Sequence, residues 1–325
     1  MTLLLKSFHY KYDKKELSLE KKSQMKTDIC DLSTEQHNRA SVALDTKSAL
    51  QIAQIINAED AKVAAAVKKA LPQIAKVIDT VVKAIAEGGR LIYVGAGSSG
   101  RIAALDASEC PPSFSTDPEL IQYVMAGGPK ALGAAAEFNE DSREQGASDI
   151  ARRRPTRKDV IIGLSASGRT PYTIAALEYA KTRGAMTGAI VCNKESKMGK
   201  VADLEIAVEV GPEVVSGSSR MKAGTAQKMI CNMISTGAMT RLGYVYGNLM
   251  VNVNLKNEKL QERGIGILMK SANVDRGTAQ RALRSAGDNV PVALVSLKTG
   301  LGSAEAKQRL TEARGNVRRA VDGQD

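Results

Sequence analysis

Apolar residues follow two distinct patterns along the chain, and together these patterns predict a layered α/β fold. Short apolar runs that suit buried strands occur at 91–95, 120–125, 160–164, 187–192 and 204–210. Stretches with apolar residues at helical spacing separate most of these runs. Strands that alternate with helices form parallel sheets with helices on both faces. We therefore expect a doubly wound, five-stranded parallel sheet.

Helical patterns precede and follow the predicted sheet. Over residues 49–87 the apolar spacing predicts two helices, with a break near 57–60 and a bend at Pro72. A further helix is predicted over 220–241, and the chain beyond Asn257 is predicted to be helical to its end.

These patterns divide the chain into four parts. The first thirty-three residues are rich in Lys and lack periodicity, so we expect a mobile basic arm at 1–33. N-terminal helices follow at 34–87, then the sheet domain at 88–256 and a C-terminal helical subdomain at 257–325.

Composition narrows the choice of partner. The formal net charge is +11, but only 3% of the residues are aromatic and no nucleic-acid motif is present, so we expect no nucleic-acid partner. Solvated basic faces and attraction of an anionic substrate explain the charge better. No apolar run reaches the roughly 18 residues of a membrane helix. The apolar run at 3–5 is too short for a secretory signal, so we expect a cytoplasmic protein without a membrane partner.

The chain has few residues that could hold a metal ion. The cysteines lie far apart, at Cys30, Cys110, Cys192 and Cys231. Both histidines, His9 and His37, precede the predicted sheet. This distribution argues against a zinc cluster and against a serine–histidine catalytic machine. We therefore expect no metal and no cofactor, and scattered thiols suit a reducing compartment.

A glycine loop follows the first predicted strand. Gly95, Gly97 and Gly100 match the spacing G-x-G-x-x-G, which can place a pyrophosphate at a helix N-terminus. A dinucleotide site also needs an acidic residue after the second strand, where this chain has Met-Ala-Gly-Gly. The loop instead carries Ser98 and Ser99, which suit a phosphate monoester or sugar hydroxyls.

Two more clusters of hydroxyl groups precede predicted helices. Ser165, Ser167 and Thr170 follow the third predicted strand, and Pro171 opens the next helix. A third cluster, at 216–222, precedes the helix of 220–241. Each cluster alone is explained by helix capping. Two clusters directly after parallel strands, where such sheets bind ligands, favour a sugar phosphate.

The sequence around these loops resembles the sugar isomerase (SIS) domain family and, within it, the N-acetylmuramic acid 6-phosphate etherases. The segments that carry this resemblance are GGRLIYVGAGSSGRIAALDASECPP (88–112), SASGRTPYTIAALEYA (165–180), GPEVVSGSSRMKAGTAQK (211–228) and YGNLMVNVNLKNEKL (246–260). It extends from about Thr34 to the C-terminus. The chain departs from the family pattern at Ser98 (usually Thr), Ser115 (usually Gly) and Asn252 (usually Asp).

The resemblance implies a lyase that works with two glutamates. The family's catalytic glutamate in the motif D-A-S-E corresponds to Glu109, and a second one corresponds to Glu140, with Glu137 as the alternative. One carboxylate would remove the C2 proton of the open-chain sugar, and one carboxylic acid would protonate the leaving lactyl oxygen and then activate water. We assign the acid to Glu109 and the base to Glu140; the reverse assignment stays open.

The resemblance also implies a phosphosugar substrate and a homodimer. The family loop implies that Ser165, Ser167 and Thr170 bind the phosphate, with Ser98 and Ser99 on another part of the sugar phosphate. Further candidates for substrate binding are Ser219, Lys222, Arg101 and Arg220. In the helix of 220–241, Met229, Met233, Ile234 and Met239 suggest a surface for a second subunit, although the same residues suit a core helix.

Two other functions stay open on sequence alone. One is a phosphosugar-binding regulatory module similar to the glucokinase regulatory protein, which has two such domains where this chain has one. The other is a sugar-phosphate isomerase. Isomerases of this superfamily tend to open the sugar ring with a histidine, and no histidine follows His37.

Overall fold

The computed structural model describes residues 32–134, 139–255 and 257–323. At its centre is a five-stranded parallel sheet with the strand order β2-β1-β3-β4-β5. The strands are β1 (Leu91–Gly95), β2 (Ile121–Met125), β3 (Val160–Ser165), β4 (Met186–Val191) and β5 (Leu204–Ala207). The predicted doubly wound α/β fold is therefore confirmed.

The chain changes direction across the sheet between β1 and β3. Leu91 of β1 pairs with Ile121 of β2 on one side and with Val160 of β3 on the other. The connection that leaves β1 leads to β2, whereas the connection that leaves β3 leads away to β4. Loops at the carboxyl ends of β1 and β3 therefore separate and leave a crevice between them, where sheets of this kind bind ligands.

Helices cover both faces of the sheet. In chain order they are α1 (Ala49–Lys68), α2 (Leu71–Ala86), α3 (Gly97–Phe114), α4 (Arg143–Arg152), α5 (Pro171–Thr182), α6 (Lys197–Val201) and α7 (Lys222–Leu242). One apolar core joins α1, α2, α3 and α7 to one face, and α4 and α5 pack on the other face. Buried side chains on both faces explain why the central strands β1 and β3 are nearly continuous apolar runs instead of alternating ones.

The N-terminal helices differ from the prediction in where they break. α1 continues through the expected break at 57–60, and the interruption falls at Lys69 and Ala70. Pro72 lies in the first turn of α2, where backbone N–H groups have no acceptor within the helix. A proline there costs no hydrogen bond. Pro72 therefore begins a helix and does not bend one.

Two further helix boundaries determine where the two glutamates lie. α3 continues through Pro111 and Pro112 to Phe114, so Glu109 lies within this helix. α4 begins at Arg143, because the side chain of Ser142 accepts a hydrogen bond from the N–H of Gln145 and caps the helix there. Glu140 therefore lies in a turn before α4.

The C-terminal part forms a helical layer with its own apolar core. Its helices are α8 (Glu258–Ala272), α9 (Arg276–Ser285), α10 (Val290–Thr299), α11 (Ser303–Glu312) and α12 (Val317–Asp322). A short antiparallel pair that the sequence did not predict, β6 (Val245–Tyr246) and β7 (Leu249–Met250), precedes them. The guanidinium of Arg318 lies 4.1 Å from the ring centroid of Tyr246 and links this pair to α12.

Some predictions fall on residues that the structure does not describe. Most of the predicted mobile arm, residues 1–31, and the alternative glutamate Glu137 lie outside the described residues. Leu32 is buried, and the N–H of Ser33 donates to Asn193, so both residues pack with the fold. Within the described ranges, no helix is both long and apolar enough to cross a membrane.

Candidate functional site

A cavity of about 450 Å³ opens at the carboxyl ends of β1 and β3, in the crevice that the strand order leaves. Its volume is in the range of small-molecule sites. The residues that line it are Thr34, Glu35, Ala96, Gly97, Ser98, Ser99, Arg101, Met125, Ala126, Ala131, Glu140, Ser165, Ala166, Ser167, Thr170, Gly217 and Ser219. The cavity thus brings together residues from all three predicted hydroxyl clusters.

The first glycine loop places the N-terminus of α3 at the cavity. Gly97 is the first residue of α3 and has a φ of +52°, a conformation that favours glycine. Ser98 and Ser99 follow in the first turn, whose N–H groups have no acceptor within the helix. The hydroxyl of Ser99 donates to Oε1 of Gln227 on α7, 2.9 Å away, which fixes its orientation at the cavity wall.

The second loop holds its hydroxyl groups close together. Oγ of Ser165 lies 2.9 Å from Oγ1 of Thr170 and 3.3 Å from Oγ of Ser167. The N–H groups of Gly168 and Arg169 donate to Ser165 and Ser167, respectively. Ser165 and Thr170 are buried, whereas Ser167 is half-buried. This loop therefore presents a compact, preorganised group of donors and acceptors.

Gly168 allows this loop to pack tightly. Its φ is +66°, and a β-carbon at this position would lie only 2.3 Å from Cβ of Ser196. No larger residue fits without moving the segment that begins α6.

Glu140 reaches the same cavity from the turn before α4. Its Oε2 atom lies 3.9 Å from the position that a β-carbon on Gly97 would occupy, so its carboxylate lies beside the N-terminus of α3. Its carbonyl accepts a hydrogen bond from the N–H of Tyr172 in the first turn of α5. The turn that carries Glu140 is therefore tied to the helix that follows the second hydroxyl loop.

Residues 33–36, which we call the N-terminal strap, form one wall of the cavity that was not predicted from the sequence. Thr34 is 1% exposed and Glu35 is half-buried, and both line the cavity. The strap is held by Asn193, which accepts hydrogen bonds from Ser33 and donates one to the carbonyl of Ala166. These contacts join segments about 160 residues apart, so no local sequence pattern indicates this wall.

Glu109 does not reach the cavity of its own chain. It lies on α3 ten residues after Ser99, which corresponds to about 15 Å along a helix axis. Its side chain is exposed, and the described residues that line the cavity do not include it. The exposed face that carries Glu109 also carries Leu105, which is 50% exposed.

Two of the predicted basic residues have structural partners. Lys222 is 1% exposed and its Nζ lies 2.6 Å from Oε2 of Glu59, away from the cavity lining. Arg101 does line the cavity, but its Nε and Nη2 atoms donate to the carbonyls of Ala131 and Ala134. The predicted role of Lys222 in substrate binding therefore has no geometric support, since burial and an ion pair hold its ammonium group in the core.

The expected dimer surface on α7 is smaller than predicted. Ile234 and Met239 are fully buried in the core of this chain. Met229 and Met233 are partly buried against the same core. Arg220 is exposed beside Ser219, which lines the cavity.

A buried carboxylate lies on the side of α3 that contacts α7. Asp106 is 4% exposed, and its Oδ1 accepts hydrogen bonds from Asn232 and Ser235 of α7. Among the described residues, its Oδ2 atom has no hydrogen-bond partner. Burial raises the pKa of Asp106, although the hydrogen bonds from Asn232 and Ser235 oppose this effect.

The described cysteines do not supply a nucleophile. Burial raises the pKa of Cys110 and Cys192 to about 12, and it raises that of Cys231 as well. These thiols therefore stay protonated at neutral pH. Within the described part of the chain, no cluster of His, Cys, Asp and Glu side chains has the geometry of a metal site.

A second cavity, of about 640 Å³, lies on the other side of Met125. Its charged side chains have partners, since Arg152 pairs with Asp149 and Arg153 donates to the carbonyl of Tyr123. The titratable residues that face the first cavity are Glu35, Arg101 and Glu140. Carboxylates beside clustered hydroxyls and helix N-termini suit acid–base chemistry on an anionic, hydroxyl-bearing ligand.

Two family models match the part of the chain that contains the sheet. A family model of the glucokinase regulatory protein N-terminal SIS domain matches residues 73–181, and a SIS domain model matches residues 149–236. A solved structure of a phosphoheptose isomerase from Francisella tularensis is similar, with a TM-score of 0.46 and 17% identity over 60% of this chain and 100% of that chain.

Curated relatives are similar over most of the chain. N-acetylmuramic acid 6-phosphate etherase from Klebsiella aerogenes is 48% identical over 297 residues, which cover 91% of this chain and 99% of the relative. N-acetylmuramic acid 6-phosphate etherase 2 from Vibrio parahaemolyticus is 47% identical over 298 residues, which cover 92% of this chain and 99% of the relative. A match of this length necessarily includes the sheet.

Proposed function

We propose how the residues of this chain perform its reaction, from the premise that the chain belongs to the N-acetylmuramic acid 6-phosphate etherase family. It is a carbon–oxygen lyase that cleaves the D-lactyl ether of N-acetylmuramic acid 6-phosphate by elimination and hydration. The products are N-acetylglucosamine 6-phosphate and D-lactate. Neither the regulatory module nor the isomerase of the sequence analysis is favoured by these relatives.

The observation that carries the proposal is that one cavity contains both a compact hydroxyl loop and a carboxylate. Ser165, Ser167 and Thr170 hold the phosphate of the substrate. Glu140 lines the same cavity from the turn before α4. Ser98 and Ser219 line the remaining walls and bind the sugar.

Glu140 is the base that removes the C2 proton. This proton is acidic only when C1 is an aldehyde, so the sugar reacts in its open-chain form. Loss of the proton gives an enolate, in which the C1 carbonyl carries the negative charge. The C3–oxygen bond then breaks in a separate step, and a carbon–carbon double bond forms between C2 and C3. Positive charge at the N-terminus of α3, beside Glu140, favours the ionised carboxylate that accepts this proton.

Glu109 is the acid that protonates the departing lactyl oxygen. An ether oxygen is a poor leaving group unless it receives a proton, and a positioned general acid contributes about 10²–10⁴-fold. The resulting carboxylate then activates a water molecule, which adds back across the double bond at C3. The chain thus completes the reaction with two carboxyl groups and no cofactor.

The position of Glu109 supports a site that two subunits share. In its own chain Glu109 lies on the exposed face of α3, about 15 Å along the helix from the cavity. A second copy of the chain that packs against this face would carry its own cavity to Glu109. Exposed Leu105 on the same face supplies apolar surface for such contact. We therefore propose a homodimer in which each cavity receives Glu109 from the partner.

A lactate assay tests the proposed chemistry. Purified protein is incubated with N-acetylmuramic acid 6-phosphate, and D-lactate is measured with a lactate dehydrogenase. We expect one D-lactate for each N-acetylglucosamine 6-phosphate, with the same rate after treatment with a chelator. Release of lactate only after addition of a divalent ion would contradict a reaction carried by two carboxyl groups.

Mixing two inactive variants tests the shared site. Glu109→Gln and Glu140→Gln are each expected to release almost no lactate. If the site is shared, a mixed dimer contains one site with both glutamates intact. Refolding an equal mixture then recovers about a quarter of the wild-type activity, because half of the dimers are mixed and half of their sites are intact. No recovery in dimers shown to be mixed would place both glutamates in one subunit.

The cytoplasm is the proposed compartment. Cys110, Cys192 and Cys231 are free thiols in the structure, as expected in a reducing environment. Fractionation of cells that produce the protein tests this location.

A further inference from the structure

The N-terminal strap brings a second carboxylate of the same chain to the cavity. The backbone of Glu35 is fixed on both sides, because its carbonyl accepts from the hydroxyl of Ser216 and the carbonyl of Thr34 accepts from the N–H of Gly217. Its side chain lies against Gly217, where a β-carbon would be 3.0 Å from Oε2 of Glu35. Hydrogen bonds on both sides therefore fix the backbone of Glu35, and the absence of a side chain at Gly217 leaves room for its carboxylate at the cavity wall.

The strap is also tied to the loop that holds the phosphate. Asn193 accepts hydrogen bonds from the N–H and hydroxyl of Ser33, and its amide group donates to Ala166. Ala166 lies between Ser165 and Ser167 in the hydroxyl loop. The strap that carries Glu35 is therefore anchored to the phosphate-binding end of the cavity.

The proposed reaction needs an acid–base group at this end. The sugar enters as a closed pyranose, whose ring oxygen O5 is bonded to C1 and to C5, and C5 carries the phosphorylated C6. Opening the ring requires removal of the proton on O1 and delivery of a proton to O5. A group that performs both transfers must lie within one sugar ring of the bound phosphate, and it must be able both to accept and to donate a proton.

The residues that line the cavity offer few candidates for this step. Among the titratable side chains on its described walls, Arg101 is a permanent cation and Glu140 is assigned to C2. The hydroxyls of the serines and threonines are too weakly acidic to shuttle a proton. His37 is exposed and does not line the cavity. Glu35 is the remaining carboxylate.

We infer that Glu35 is the acid–base residue that opens the sugar ring. Its carboxylate takes the proton from the O1 hydroxyl while the C1–O5 bond breaks and the C1 carbonyl forms. The same carboxyl group then delivers the proton to O5, so the step is an isomerisation that returns Glu35 to its ionised form. Glu140 then removes the C2 proton of the aldehyde. This inference rests on the proposed function and adds a third carboxyl group to it.

The test replaces Glu35 with Gln, which keeps the size and polarity of the side chain but removes the proton carrier. Lactate release is compared for substrates with hydrogen or deuterium at C2. We expect Glu35→Gln to lower kcat/KM about 10²–10⁴-fold. The C2 isotope effect should fall toward unity, because ring opening then limits the rate. Glu140→Gln lowers the rate without this loss of the isotope effect.

A second measurement does not depend on elimination. Exchange NMR follows the interconversion of the α and β anomers of N-acetylglucosamine 6-phosphate, which requires ring opening and closure. Wild-type protein and Glu140→Gln are expected to accelerate the interconversion, whereas Glu35→Gln is not. Glu35→Asp retains the carboxyl group and is expected to recover part of the acceleration. Asp45→Asn removes a carboxylate from an exposed turn beyond the strap and is the matched control, expected to match wild type.

The outcomes separate this inference from the proposed function. Wild-type protein that releases no D-lactate would refute the proposed function itself. If wild-type protein releases lactate and Glu35→Gln raises only KM, with an unchanged isotope effect, Glu35 binds the sugar and does not open it. Full acceleration of anomer interconversion by Glu35→Gln would also overturn the inference.

Discussion

Lys222 and Glu59 form an ion pair in the interior of the protein, with Nζ of Lys222 2.6 Å from Oε2 of Glu59. The side chains are 2% and 5% exposed, respectively. Lys62 also pairs with Glu59 from the surface. Burial alone would raise the pKa of Glu59, but hydrogen bonds from Lys222 and Lys62 outweigh burial and lower it to about 2. The pair joins α1 to the start of α7.

Breaking this pair is expected to destabilise the fold and leave the chemistry intact. Lys222→Met keeps the length of the side chain but leaves Glu59 without its buried partner, which costs about 3–5 kcal/mol of unfolding free energy. Lys62→Met is the control, and its exposed ammonium is expected to contribute less than about 1 kcal/mol. Urea denaturation measures both. If Lys222→Met has unchanged stability and a raised KM, Lys222 binds the substrate and does not stabilise the core.

The contribution of this ion pair to the free energy of unfolding should depend on pH. Glu59 has a lowered pKa of about 2 against an ordinary value of 4.5, so its contribution is complete above pH 4.5 and is lost as the pH falls toward 2. The difference in unfolding free energy between wild type and Lys222→Met should therefore shrink as the pH falls below 4.5. Denaturation at several pH values measures it, and a difference that grows in acid would contradict the account.

Phosphate binding is expected to depend on Ser167. Ser165 and Thr170 are buried and bond to each other, whereas Ser167 is half-buried and presents its hydroxyl at the cavity wall. Ser167→Ala should weaken binding of N-acetylglucosamine 6-phosphate about 10- to 100-fold, the usual range for a hydrogen bond to a charged group. Thr80→Val on α2, outside the cavity, is the control. Unchanged affinity of Ser167→Ala by calorimetry would refute the assignment.

Replacing two buried aspartates, Asp106 and Asp159, is expected to change the pH dependence of stability in opposite directions. The pKa of Asp106 is raised by burial, so stability from this group is present below pH 3.8 and is lost as the pH rises through its raised pKa. Asn has no such loss, so Asp106→Asn should gain stability relative to wild type between pH 4 and pH 7. For Asp159, hydrogen bonds from Arg90 and Thr156 outweigh burial and lower the pKa.

Asp159→Asn should therefore lose more stability at pH 7 than near pH 3, because the ionised Asp159 pairs with Arg90. Melting temperatures of wild type and both variants across this range measure the two slopes. Slopes of the same sign would show that burial does not raise the pKa of Asp106.

The sheet could be predicted from sequence because its signal is local. The central strands β1 and β3 are nearly continuous apolar runs, and the loops after them contain glycines and hydroxyls at recognisable spacing. The start of α4 is harder to predict from the sequence. Ser142 caps this helix, so Glu140 lies in the turn before it. That boundary is what lets Glu140 face α3.

The remaining features depend on contacts between distant parts of the chain. Lys222 lies in a cluster of serines that resembles a binding loop, but its partner Glu59 is 163 residues away. Glu35 lies in a segment without a motif, and its position depends on Asn193 and Ser216. The exposure of Glu109 follows from the rotation and length of α3, which sequence spacing does not reveal.

The division of labour between Glu109 and Glu140 is tested most directly by uptake of deuterium at C2. Each variant is incubated with N-acetylmuramic acid 6-phosphate in deuterated water, and the C2 position is followed by NMR. We expect Glu109→Gln to exchange the C2 hydrogen without releasing lactate, because deprotonation precedes departure of the ether. Glu140→Gln should lose the exchange. Exchange that persists in Glu140→Gln and disappears in Glu109→Gln would contradict the account and reverse the two roles.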